Sequence, residues 1–188
     1  DKYRESIAAY YDALAKYPEI PEAVDAVANI ISALQDLCVE EQDEAKKLAY
    51  RQDADAVEAY LAERFAGNPD RSLMIAAGNA VFGAAAKEQE RGEKARADWL
   101  YAEFYNNYRE HPNAPALAAS KAGESQKDGN WRDAISKWQV VENLYTNSMY
   151  YVPALSQLSY CYGKLGDAAN EIAYINRYLK LETVQIRK

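Results

Sequence analysis

The chain has 188 residues, 49% of them hydrophobic and only 8 of them Gly, enough to bury a substantial helical core. Its net charge of -7, with acidic and basic residues interspersed, argues against a nucleic-acid partner, which selects a basic face. No apolar run approaches the roughly 18 residues of a membrane span, and no alternating strand pattern is present, so an all-α chain is expected.

The opening carries Tyr3, Arg4, Ser6, Ile7, Tyr10, Ala13, Leu14 and Tyr17 and ends at Pro18. Pro21 then suits the first turn of a new helix, where its missing N–H costs nothing. Val24, Val27, Ala28 and Ile31 follow at helical spacing. Residues 35–52 contain no Gly or Pro, and Leu34, Cys38, Ala45 and Leu48 continue the helical spacing, so an extended or inserted helix is expected there. The acidic residues Glu40, Glu41, Asp43 and Glu44 read as a solvated face. A further helix, capped by Asp53 or Asp55, carries Val57, Leu61 and Phe65 and stops at Gly67.

A helix starting near Asp70 or Ser72 carries Met74, Ala77, Gly78 and Val81 and runs on to Gly92. Its partner carries Leu100 and Phe104 and closes at His111-Pro112. From Pro112-Asn113-Ala114-Pro115 a weaker helix leads to the turn Asp128-Gly129-Asn130-Trp131, followed by Ala134 and Trp138. The last pair has Leu155, Leu158, Ser159 and Tyr162, the turn Leu165-Gly166-Asp167, then Ile172, Ile175, Leu179 and Leu181. A short tail, 184–188, follows.

The recurring order, Leu-x-x-Leu-small-x-x-Tyr, a Gly-Asp turn and a second amphipathic helix, resembles the tetratricopeptide repeat, a helix-turn-helix unit of about 34 residues. Second-helix matches end near Pro18, Pro69, Pro112, Thr146 and Thr183, so the resemblance covers nearly the whole chain. It departs at Glu171, where the family has a small residue, at Thr183, where it has Pro, and across 35–52. The resemblance implies about nine or ten helices in one domain over 1–188, stacked as antiparallel pairs in an α-α superhelix. The opening half-repeat implies a piece of a longer protein. The turns at Tyr17-Pro18-x-x-Pro21 and His111-Pro112-Asn113-Ala114-Pro115 are similar to those of bacterial cell-envelope scaffolds, which implies a periplasmic or envelope location.

In that family the concave groove holds a partner's segment. By register it would present Glu22, Asp25, Asn29 and Ser32, then Ser72, Ile75, Asn79 and Phe82, then Ala119, Gly123 and Gln126, then Pro153, Ser156, Tyr160 and Gly163. Asn29 and Asn79 fit the Asn role of the family's carboxylate clamp, but Asp25 and Ile75 stand where it needs Lys. An acidic first end and an apolar centre suit a segment with basic and aromatic residues. Self-association through the terminal repeats, a structural spacer, or a regulatory arm of an enzyme whose catalytic domain lies elsewhere are the alternatives.

The 16 Tyr read mainly as packing between helices, with Tyr160 and Phe82 as groove exceptions. Trp99, Trp131 and Trp138 read as core or packing between repeats. His111 is the only histidine, and its expected place is a last helical turn, where the helix dipole favours a cation. Cys38 and Cys161 lack metal-site spacing and read as small core residues, with a disulfide between them an open alternative. No nucleophile elbow, phosphate loop or zinc pattern occurs, and the paired carboxylates are expected on exposed faces with nothing to raise a pKa. A non-catalytic protein with no cofactor and no metal is the resulting expectation.

Overall fold

The computed structural model describes residues 2–185, with side chains across 5–181. The tail 186–188 and the side chains of Tyr3, Arg4, Thr183 and Val184, which enter the pattern above, lie outside them. The chain is all-α. Nine helices are present among the described residues: α1 (Lys2–Lys16), α2 (Pro21–Glu40), α3 (Glu44–Phe65), α4 (Arg71–Glu90), α5 (Lys94–Asn107), α6 (Ala114–Lys127), α7 (Trp131–Leu144), α8 (Tyr151–Lys164) and α9 (Ala168–Gln185). They pack as adjacent pairs in the manner of a helical repeat. Two compact units result, Asp1–Pro112 and Asn113–Lys188.

In the first unit α2 packs against α1, α3 and α4, and α4 pairs with α5. Val24, Val27, Ile30, Ile31 and Leu34 supply the buried stripe of α2, and Val57, Leu61 and Phe65 that of α3. The buried stripe of α4 is mostly alanine (Ala76, Ala77, Ala80, Ala84, Ala85), and small side chains let neighbouring backbones come close. In the second unit the four helices follow one another, each packed on the next. Leu117, Ala122, Ile135, Trp138, Val141, Leu155 and Leu158 form its core.

The α4–α5, α6–α7 and α8–α9 turns each pass through a glycine with positive φ, namely Gly92, Gly129 and Gly166, a conformation strained for any side chain. The α2–α3 turn is built differently and falls inside 35–52. α2 continues to Glu40, and α3 begins at Glu44. Neither Asp53 nor Asp55 caps a helix, because α3 runs through both without a break. Its cap is Asp43, whose Oδ1 accepts from the Ala45 N–H at 2.9 Å and the Lys46 N–H at 3.3 Å. Such a cap contributes about 1 kcal/mol.

Candidate partner-binding surfaces

In the second unit the α6, α7 and α8 faces enclose an open depression of about 460 Å³. Gln126 comes from α6, Trp131 and Trp138 from α7, and Pro153, Gln157 and Tyr160 from α8. Helical spacing accounts for the last set, since Pro153, Gln157 and Tyr160 recur on one face of α8. The walls are fixed by polar contacts. Trp138 Nε1 donates to Gln126 Oε1 at 3.0 Å, and Gln126 Nε2 donates to Gln157 Oε1 at 2.7 Å. The Trp131 and Tyr160 rings meet edge to face with centroids 5.9 Å apart. Tyr160 is 48% exposed, and the Lys164 ammonium stands 5.1 Å from its ring centroid. Lys127 adds a second cation to the rim.

Gln126 and Tyr160, both groove residues by register, thus share one surface, and Gly123 and Pro153 line it with them. Ser156, exposed one turn before Tyr160, lies beside it on α8. Gly163 is half-buried under Glu171, whose Oε1 would stand 2.8 Å from a methyl placed there, so the small residue missing from α9 is supplied by α8. Trp131 and Trp138 were expected as packing alone. They also line the depression, because the second helix of the pair contributes its first turns to the wall.

In the first unit Glu22, Asp25 and Asn29 form an exposed stripe along α2, and Asn79 is exposed on α4. The two stripes adjoin where Lys87 Nζ reaches from α4 to Ser32 Oγ at 2.6 Å and Asp36 Oδ2 at 2.8 Å. That cation holds the Asp36 carboxyl below the usual range, chiefly through the hydrogen bond. Ile75 and Phe82 are only half-exposed. Phe82 packs edge-on against Tyr101 and Phe104, with centroids 5.5 and 5.2 Å away, so its ring belongs to an aromatic cluster with α5. Tyrosine pairs elsewhere act as packing, as in Tyr11–Tyr60 and Tyr162–Tyr174.

Four side chains lie where the sequence does not place them. His111 is not in a last helical turn, since α5 ends at Asn107. It is 2% exposed, its ring packs on Phe104, and its Nε2 is 3.2 Å from the Ile75 carbonyl oxygen. Burial lowers its pKa, against that hydrogen bond, so the dipole argument for a cation there fails. Glu58, against the general expectation of exposed carboxylates, is 3% exposed. Loss of hydration pushes its carboxyl up to about 8, and Arg96, with Nη2 3.3 Å away, opposes this without overcoming it. Trp99 is 42% exposed and carries the Arg96 guanidinium 4.3 Å above its ring. Of the two cysteines, Cys161 is buried as expected and Cys38 is half-exposed, and both are free thiols.

Among the described residues no helix is long and apolar enough to cross a membrane. Comparison of the chain with protein-family models, with curated proteins and with solved structures returns no match.

Proposed function

We propose that this chain is a non-catalytic scaffold of the tetratricopeptide kind that binds an extended segment of another protein. The observation that carries the proposal is the depression on α6, α7 and α8. It offers what peptide recognition needs: two aromatic faces, held amides and a rim of one charge sign. Trp131 and Tyr160 suit an aromatic or proline side chain, and Lys127 and Lys164 suit a neighbouring carboxylate. The exposed Glu22 and Asp25 on α2 suit a basic stretch of the same or another partner. The Pro-x-x-Pro turns extend the proposal to the bacterial cell envelope.

Panning a displayed peptide library against the full chain tests this. The expected yield is a shared motif pairing an aromatic or proline residue with an acidic one. Binding should fall at least ~30-fold for Trp131→Ala/Tyr160→Ala, the size of an aromatic hot spot. No shared motif, or equal binding by the variant, overturns the proposal.

A second reading, self-association, is favoured by α9. Ile172, Ile175 and Leu179 are 57%, 39% and 50% exposed. Counted from Gly166 they occupy the positions that Ile135, Trp138 and Glu142 occupy relative to Gly129, and those three are buried where α7 packs between α6 and α8. A concentration-dependent mass in sedimentation, abolished by Ile175→Asp, would favour that reading over peptide binding.

A further inference from the structure

α2, α3 and α4 run to 20, 22 and 20 residues, against 14 for each of α6, α7 and α8. The added turns bring no matching gain in core. Val39 and Leu48, which they carry, are 61% and 56% exposed. They instead enclose a cavity of about 380 Å³, within the range of small-molecule sites. α2 contributes Gln35 and Cys38, one turn apart on one face, and α3 contributes Lys47 and Arg51 from one face. Arg91 and Glu88, whose charged groups approach to 3.6 Å, stand on the opposite wall.

Two features of this cavity point to a ligand. Gln35 is 6% exposed and donates from Nε2 to the Ala84 carbonyl at 3.1 Å, yet its Oε1 has no donor. A buried acceptor left without a donor is costly, so it asks for an N–H from something in the cavity. The half-exposed Cys38 thiol, which donates to the Lys47 carbonyl at 3.8 Å, shares the cavity lining with Lys47 and Arg51.

We propose that this cavity admits small disulfides bearing carboxylates and amide N–H groups, and that Cys38 exchanges with them. Lys47 and Arg51 attract the carboxylates, and Gln35 Oε1 accepts the N–H. The Cys38 proton passes to solvent. Cys38 Sγ then forms a bond to one sulfur of the reagent, the reagent's own S–S bond breaks, and its other half leaves as a thiolate. The Cys38 sulfur is oxidised and the leaving sulfur reduced, with no further reagent. Cys161, with 0% exposure, stays out of the reaction and serves as an internal control.

The test uses the full chain and two reagents, the anionic dithiobis(nitrobenzoate) and the neutral dithiodipyridine. A single thiol should react, and its signal should vanish in Cys38→Ser. The ratio of anionic to neutral rate should fall about tenfold in Lys47→Gln/Arg51→Gln, the lower end of what electrostatic steering contributes. Oxidised glutathione, which carries both carboxylates and amides, should leave a mixed disulfide on Cys38 by mass spectrometry. Its rate, unlike that of the nitrobenzoate reagent, should drop in Gln35→Met. An unchanged rate ratio in the double variant, or a reaction that persists in Cys38→Ser, overturns the proposal. An unfolded variant is recognised by reaction of Cys161 with the neutral reagent.

Discussion

Raising the pH from 5 to 9 is expected to cost the folded chain ~3–5 kcal/mol through Glu58 alone, and Glu58→Gln should abolish that loss. The carboxyl titrates near 4.5 in the open chain and is pushed up to about 8 in the folded one. The folded state therefore holds this proton over a pH range in which the unfolded state has released it. The contribution to stability is whole below 4.5, declines as pH climbs toward 8, and is flat above. Each unit of difference is worth about 1.4 kcal/mol, which gives the figure above. The cause is geometric. Glu58 sits in the apolar stripe of α3 between Val57 and Leu61, where water cannot solvate a charge. Arg96 supplies some compensation but is shared with Asp55. Tyr108 is fully buried too, and its hydroxyl has no hydrogen-bond partner.

Denaturant unfolding at pH 5, 6, 7, 8 and 9 for both proteins measures the difference. His111 titrates in the same window with the opposite sign, since its lowered pKa removes stability as pH falls below about 6.5. It is unchanged in the variant and cancels in the comparison. Two profiles that run parallel from pH 5 to 9 would show that Glu58 is not the titrating group.

Glu58 also shows where the sequence was legible and where it was not. The helices, their pairing and the three glycine turns follow from apolar spacing and from Gly92, Gly129 and Gly166, because those signals are local. The start of α3 is local too, yet the sequence pattern points to Asp53 or Asp55 as the cap and not to Asp43. Three acidic residues compete there, and only Asp43 stands where the backbone leaves the helix. Glu58 was in plain view, four residues after Ala54 and three before Leu61, both buried. Its position in the stripe was the signal, and its charge hid it. His111 and Phe82 could not be read in this way. Their packing depends on which turn of α4 meets α5 and its following loop, a long-range fact that no window of sequence contains. Among the groove residues, Gln126 and Tyr160 came together because each lies on a first helix, whereas Trp131 and Trp138 needed the packing of α7 to be known.

The contact between Gly78 and His111 gives the second large effect. A methyl at Gly78 would stand 2.5 Å from His111 Cδ2, closer than two carbons approach, and a tight 3.2 Å from its Nε2. The ring cannot retreat cheaply, because Phe104 meets it edge-on with centroids 5.0 Å apart and the Ile75 carbonyl holds its Nε2. Gly78→Ala adds about 1 kcal/mol of helix propensity in α4. Against this stand roughly 1–3 kcal/mol of overpacking and about 1 kcal/mol for a disturbed hydrogen bond. The net expectation is a loss of ~1–3 kcal/mol. Gly163 is the contrasting case, since a methyl there meets the end of the Glu171 side chain, which can swing aside. Gly163→Ala should thus stay within ~0.5 kcal/mol of the parent, propensity and crowding nearly cancelling. Removing the ring isolates the contact. In His111→Ala the space beside Gly78 opens, so adding Gly78→Ala to that background should be neutral or stabilising, with a coupling energy of about 1–4 kcal/mol between the two positions. Unfolding free energies for the two single variants and the double variant close the cycle. If Gly78→Ala costs the same with and without the imidazole, the glycine is not there to admit His111.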